Sequence, residues 1–323
     1  MATILPNNTN TDTLPNTGFG TMAADRGGRL LNKDGSPNVK KTGVGIFERY
    51  SWYHSMLTIN RWKFFSLILL FYTGVNIVFA TIYYLIGVQH LQGMQVQTEL
   101  EKFTEAFFFS TQTFTTVGYG RISPSGFAMS AAASFHALLG LLSFAVVAGL
   151  IYARFGMPKA YIKFSNSGLI SPYNNGTALM VRITPYKSTA PLADVEAKIS
   201  LAMIVETDGV FKNKFYNLSL EAAKINSLVL SWTLVHPITE DSPLWGFTLE
   251  EYHKANVELL VYVKGFDDTF SNIVIARTSY TATELLYGYK FTPMYSRADT
   301  ENTTILKVGL LNSYRSVDMP KIG

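Results

Sequence analysis

The 323-residue sequence contains no cysteine. Disulfides, thiolate metal sites and cysteine nucleophiles are therefore excluded. Histidine is scarce as well. The five present, with the scattered acids, form no recognisable catalytic set, so an enzyme is the weakest reading and no cofactor is expected. Charge is sparse and nearly balanced: 27 Lys and Arg against 23 Asp and Glu leave +4. That gives no signal for a nucleic-acid partner, although it suits an anionic membrane surface. Residues 1–6 lack a basic segment and a long apolar core, so no signal peptide is expected there. Nucleotide and calcium motifs are missing, and no long apolar run carries regularly spaced arginines, which excludes a voltage-sensing helix.

The chain is nevertheless 48% hydrophobic and 14% aromatic, which fits a protein partly in lipid and partly in water. Residues 1–42, rich in Asn, Thr, Gly and Pro with no apolar period, read as a disordered tail. Residues 43–62 hold an amphipathic helix from about residue 47, with Trp52, Met56 and Ile59 on one side. Its place before a long apolar run favours a helix lying in the membrane interface over an ordinary soluble one. Residues 64–88 are apolar except for Asn76 and, at about 1.5 Å per residue, can cross a bilayer. Residues 126–155 form a second span containing small residues, Gly140 and Gly149 among them, that let helices approach closely. Bases cluster before the first span and after the second, which places both termini in the cytoplasm of a multi-pass protein of the inner, or plasma, membrane. His136, inside the second span, reads as a core histidine before a proton sensor.

Between the spans, residues 103–114 are too short to cross. Apolar helix followed by irregular backbone is tolerated at this depth only where protein surrounds it or it lines a watery path. It leads into Thr115-Thr116-Val117-Gly118-Tyr119-Gly120. This string resembles the selectivity filter of potassium channels, in which carbonyl oxygens replace the hydration shell of K⁺. The resemblance implies that Thr116, Val117, Gly118, Tyr119 and Gly120 coordinate K⁺. Gly118 and Gly120 would supply unusual backbone angles, and the Val117 and Tyr119 side chains would pack behind the filter. One such strand supplies one side of a coordination shell, so a homotetramer with four-fold symmetry is expected.

From about residue 164 the apolar period changes to two, as at Val195-Glu196-Ala197-Lys198-Ile199 and at Val257, Leu259, Val261 and Val263. Turn-rich breaks such as Asn174-Asn175-Gly176 and Asp208-Gly209 separate the strands, and Thr248 with Glu251 reads as the capping box of a short helix. The expected fold is thus a membrane α domain (residues 63–157: two transmembrane helices and a pore helix) followed by an all-β, immunoglobulin-like sandwich in the cytoplasm (residues 158–323).

Over residues 44–310 the chain resembles the inward-rectifier potassium channels, most of all their prokaryotic branch. The carriers are the filter, Leu150-Ile151-Tyr152-Ala153-Arg154-Phe155, Leu230-Ser231-Trp232-Thr233 with His236-Pro237-Ile238, Glu240-Asp241-Ser242-Pro243-Leu244, and Ala276-Arg277-Thr278-Ser279-Tyr280 with Glu284-Leu285-Leu286. The resemblance implies a slide helix at residues 43–62 and a ring at the helix-bundle gate from Tyr152. It implies a cavity position at Phe144 that is acidic in strong rectifiers, a hinge or close-packing point at Gly140, and helix crossing near the gate at Gly149. Glu196 would line the cytoplasmic pore, while Lys264 replaces a second familiar acid. Block by Mg²⁺, Ba²⁺ or polyamine is implied, with weak intrinsic rectification. Arg61, Trp62, Lys63, Arg154, Lys159 and Lys163 match the region that meets anionic lipid headgroups, although bases there also serve topology alone. Gating by a small cytoplasmic ligand and a non-conducting receptor-like role are the alternatives.

Overall fold

The computed structural model describes residues 28–45, 48, 51–187, 191–207, 210–297 and 303–320. The chain divides into two units, residues 42–157 and residues 1–41 with 158–323.

In the first unit a seven-residue helix, α1 (Trp52–Thr58), is capped by the Ser51 side chain, which accepts from His54 N–H. Sequence periodicity suggests one helix from residue 47 to 62, and the structure corrects this. Ile59 and Asn60 leave helical geometry, and the Asn60 side chain accepts from Trp62 N–H to start α2 (Arg61–Ile86). Arg61 and Trp62 therefore belong to the first span. Residues 46, 47, 49 and 50 lie outside the described residues. α2 ends at Gly87, whose φ of 116° few other residues adopt.

The pore helix α3 (Glu99–Phe114) starts four residues earlier than residue 103, because Thr98 and Glu101 form a capping box. The last helix, α4 (Phe127–Phe155), is 29 residues long. Both α2 and α4 are long and apolar enough to cross a membrane. A two-residue ladder joins β1 (Leu91–Gln92) to β2 (Ser123–Pro124), tying the loop after the first span to the chain beyond Gly120. Phe79, Ala80 and Tyr83 of α2, Ala106 and Phe109 of α3, and Met129 and Ala133 of α4 close one apolar core.

The second unit is built on two five-stranded sheets, with two small two-stranded ladders near its C-terminal end. β3 (Ile162–Phe164), β4 (Gly168–Tyr173), β5 (Gly176–Pro185), β9 (Trp232–Ile238) and β12 (Leu285–Tyr287) form a mixed sheet in which β12 runs parallel to β4. β6 (Leu192–Thr207), β7 (Val210–Leu218), β8 (Lys224–Leu228), β10 (Glu258–Asp267) and β11 (Asn272–Thr281) form an antiparallel one. Leu179, Val181 and Ile183 of the first sheet share one core with Val195, Ile199, Val261 and Val263 of the second, as the period-two pattern requires. The turn at Asp208-Gly209 lies outside the described residues. A short helix, α5 (Leu249–Lys254), starts at the Thr248/Glu251 capping box. Two of the family strings meet here: His236 Nδ1 lies 2.7 Å from Ser219 O and its Nε2 2.8 Å from Ser242 Oγ.

The tail reading needs a second correction. Residues 1–27 lie outside the described residues, but from residue 28 the chain docks on the antiparallel sheet. Leu31 packs with Ala202, Phe215 and Leu260. The Glu258 carboxylate accepts from Leu30 N–H at 2.8 Å and from Leu31 N–H at 3.2 Å. Ser279 Oγ donates to Leu31 O (2.5 Å) and Thr278 Oγ1 to Lys33 O (2.9 Å). Gly35 turns at φ 79° directly against the Arg277 carbonyl, where a Cβ would collide. One buried leucine, a few backbone bonds and the Arg29 and Lys33 side chains on Ser279 and Glu284 hold the segment, so it shows no apolar period.

Candidate functional site

The C-terminus of α3 delivers the filter string. Thr115 N–H donates to Thr111 O and Thr116 N–H to Thr113 O, and Val117 N–H reaches back 3.0 Å to Gln112 O. Beyond that the handedness alternates. Thr116, Gly118 and Gly120 have φ of 59°, 52° and 80°, whereas Val117 and Tyr119 between them do not have positive φ. In a uniform strand successive carbonyls point to opposite sides. Alternating the sign of φ turns successive peptide units so that carbonyls can share one side, as a coordinating row requires. Two of these positions are glycine, where positive φ is unstrained. Thr116 is β-branched and strained there, a feature that concentrates at functional sites.

Within one chain Val117 and Tyr119 are 53% and 79% exposed, so packing behind the filter is not found inside a single copy. Gly118, Tyr119 and Gly120 make no hydrogen bond among the described residues. The chain is held again from Arg121, whose Nη2 pairs with Glu105 Oε2 of α3, through buried Ile122 and the β1–β2 ladder to Ser125, whose N–H and hydroxyl donate to His90 O at 2.8 and 3.0 Å.

Polar groups behind the pore helix are buried in pairs. Ser110 and Asn76 are fully buried and bonded. The His136 ring stacks on Phe79 at 3.8 Å, and its Nδ1 lies 2.9 Å from the Tyr83 hydroxyl, while Nε2 is buried without a partner among the described residues. Gly140 is buried against the Phe114 carbonyl at the end of α3, where a Cβ would collide. Nothing lies within 4 Å of a Cβ at Gly149. Phe144 and Tyr152 stand 73% and 82% exposed on α4.

The six basic and aromatic residues matched to lipid do not share one environment. Arg61, Trp62 and Lys63 are exposed at the start of α2. Arg154, at the end of α4, is engaged: Nη1 donates to Met56 O (2.5 Å), Nη2 to Ile59 O (2.7 Å), and the guanidinium lies over the Phe64 ring at 4.4 Å. It thus satisfies carbonyls left open at the end of α1. Lys159 and Lys163 are exposed and belong to the other unit.

Glu196 is on β6, opposite Lys264 of β10 in the strand register. Its carboxylate lies 2.9 Å from Lys264 Nζ and 3.1 Å from Lys198 Nζ. Bonds from Lys264 first, then Lys198, hold the carboxyl below the usual carboxylate range, and Glu196 raises Lys264 in return.

Residues 162–323 match the family described as the inward rectifier potassium channel C-terminal domain, and residues 68–156 match the ion channel family. The chain is 33% identical over 275 residues to inward rectifier potassium channel Kirbac3.1 of Paramagnetospirillum magnetotacticum, covering 83% of this chain and 90% of that one. It is 28% identical to G protein-activated inward rectifier potassium channel 2 of Pongo abelii (84% and 69% covered). The human channel 4 of that name is 27% identical (82% and 68%).

Proposed function

The chain belongs to the prokaryotic branch of the inward-rectifier potassium channel family, and from that premise we propose that it is a membrane channel conducting K⁺ through a filter of residues 116–120. The observation that carries this is the alternating backbone at Thr116, Gly118 and Gly120.

The finer parts of the proposal rest on exposure and charge. A homotetramer accounts for Val117 and Tyr119, which find no packing in one copy, and for the apolar faces left open on α2 and α4. Tyr152 forms the gate ring, and Phe144 lines the cavity above it. An aromatic Phe144 offers a blocking cation no charge, and Glu196 is compensated by two lysines, so Mg²⁺ and polyamine block from the cytoplasmic side is weak. Arg61, Trp62 and Lys63 face anionic headgroups, and both termini with the β unit are cytoplasmic. Gating by a small soluble ligand has one observation in its favour, a cleft of about 580 Å³ lined by Lys33, Asn166 and Arg277 among others.

The test is flux. Purified protein in liposomes containing anionic lipid takes up K⁺ in preference to Na⁺, and Ba²⁺ blocks the uptake. Gly118→Ala abolishes the preference, because alanine is strained at φ 52°. No flux with or without anionic lipid refutes conduction, and selectivity unchanged in Gly118→Ala refutes the filter assignment.

A further inference from the structure

The β unit encloses a cavity of about 150 Å³, closed by elements far apart in the chain. Thr177, near the start of β5, forms one wall. Ile238, the last residue of β9, forms another with Leu244 and Phe247 from the loop that follows. Tyr252 of α5 and Tyr287 of β12 complete it. The loop is tightly bonded. Ser242 N–H donates to Thr239 O (2.8 Å), Trp245 N–H to Ser242 O (3.0 Å) and Phe247 N–H to Leu244 O (3.3 Å). The Ser242 hydroxyl is held in turn by the His236 ring. Sheet and bonded loop thus fix the cavity's shape before anything binds, as in most small-molecule sites.

Its polar groups are unspent. Tyr252 is 1% exposed, and its ring packs edge-on against Phe247 with centroids 5.7 Å apart. Yet its hydroxyl makes no hydrogen bond among the described residues and is not sealed off. The space it borders is this cavity. The Thr177 and Tyr287 hydroxyls are likewise without a bond among the described residues. Buried hydroxyls left unbonded cost stability, and a ligand that bonds to them removes the cost. Burial, then the neighbouring Tyr287 phenol, pushes the Tyr252 hydroxyl up, so it stays a neutral donor. No Asp, Glu, Lys, Arg or His lines the cavity, so a charged ligand would lie there without a counter-charge.

We propose that this cavity binds a small uncharged aromatic molecule, a single ring bearing one carbonyl or hydroxyl group. The size fits: in another protein an engineered cavity of about 150 Å³, lined by Leu, Ile and Phe, takes up benzene. Here the ring packs on Ile238, Leu244 and Phe247, and its oxygen accepts from the Tyr252 hydroxyl. The site is distinct from the cleft at Lys33 and Arg277, whose lining is charged. Binding requires nothing of residues 116–120.

The probe is benzamide, with benzoate as its charged counterpart of nearly the same shape. Saturation-transfer NMR is run on purified full-length protein in detergent, with protein-free micelles as the blank. Benzamide gives a saturable, protein-dependent signal with Kd on the order of 1 mM or tighter. Benzoate binds about tenfold or more weakly. Tyr252→Phe keeps the ring, removes the hydroxyl and weakens benzamide about fivefold. Ile238→Phe narrows the cavity and abolishes binding. Amide exchange of β5 and β9 in both variants matches the unmodified protein, which separates loss of the site from loss of the fold. Should a variant unfold, benzamide against benzoate on the unmodified protein still decides. No protein-dependent signal, benzoate bound as tightly as benzamide, or folded variants with unmodified affinity would each overturn the site. Protein that binds benzamide but passes no K⁺ keeps the site and loses only the conduction reading.

Discussion

The Ser110 hydroxyl on the pore helix donates to the Asn76 carboxamide oxygen on the first span across 2.8 Å, and both side chains are fully buried. Asn76 is oriented for this by its own Nδ2, which donates 2.8 Å to Tyr72 O one turn earlier. A polar residue that looks costly in an apolar span is thus a tie to the helix that leads into residues 115–120. Such bonds between membrane helices are worth about 0.6–2 kcal/mol. Ser110→Ala and Asn76→Leu should each lower the temperature at which the purified assembly dissociates in detergent. The double variant should fall short of the sum by about 1 kcal/mol. Strict additivity would show that the pair is not coupled.

Arg154 makes a second tie. Its fork spans the Met56 and Ile59 carbonyls, joining the end of α4 to the end of α1. A seven-residue helix is not stable alone, so α1 depends on this contact. Hydrogen bonds to charged donors contribute about 1.5–3 kcal/mol. Arg154→Gln should therefore raise hydrogen exchange of the α1 amides by about tenfold or more in neutral detergent, where no anionic lipid is present. Arg154→Lys should behave almost as badly, because one ammonium cannot reproduce the fork. Full protection in the Lys variant would mean that charge alone suffices.

How much was legible follows from these contacts. The two long apolar helices, the Thr248 cap and the alternating strands are local patterns, and the structure places an element on each; the string at residues 115–120 carries no regular element, only the alternating φ at Thr116, Gly118 and Gly120. The turn from Glu99 to Lys102 is largely polar and carries no apolar pattern, so only the Thr98–Glu101 capping box marks it as the start of the helix. The docked segment at residues 28–38 was illegible for another reason. Its anchors, Glu258, Ser279 and Glu284, lie more than two hundred residues away. The same applies to Arg154, which reads as one more basic residue near a membrane until its acceptors are known. Gly140, open between hinge and packing point, gains its meaning only from the Phe114 carbonyl pressed against it.

That docked segment should respond to alkaline pH. Burial lowers Lys33 to about 8, against the pull of Glu284 beside it at 3.4 Å. Below pH 8 the docked and released states both hold the proton, and pH has no effect. Between about 8 and 10.5 the docked state sheds a proton that the released state keeps, so docking strengthens as pH rises. The sequence has no cysteine, so a spin label can be placed at Val39→Cys alone. Its mobile fraction should fall from pH 8 to pH 10. Lys33→Met should stay docked with no such dependence. A mobile fraction that rises over this window would contradict the burial of Lys33.

The last prediction concerns Glu196. With Lys264 and Lys198 attached, the trio carries a net +1, so its carboxylate attracts no cation. Lys264→Met brings the trio to zero, and adding Lys198→Met brings it to −1. In a tetramer the double change shifts the ring by eight charges, two in each of four copies. Cytoplasmic Mg²⁺ or spermine should then block about tenfold more tightly, with the single variant between, and the gain should shrink as salt screens it. Acid should reverse the gain. Pairing with Lys264 and Lys198 holds the Glu196 carboxyl below its ordinary value; freed of both lysines it moves back up toward that value, so protonation should remove the gain sooner in the double variant than the paired carboxyl would protonate. Voltage-clamp of reconstituted channels reads both effects. Block that ignores the lysines would show that Glu196 lies off the ion path, and the compensation seen in the fold would then be structural only.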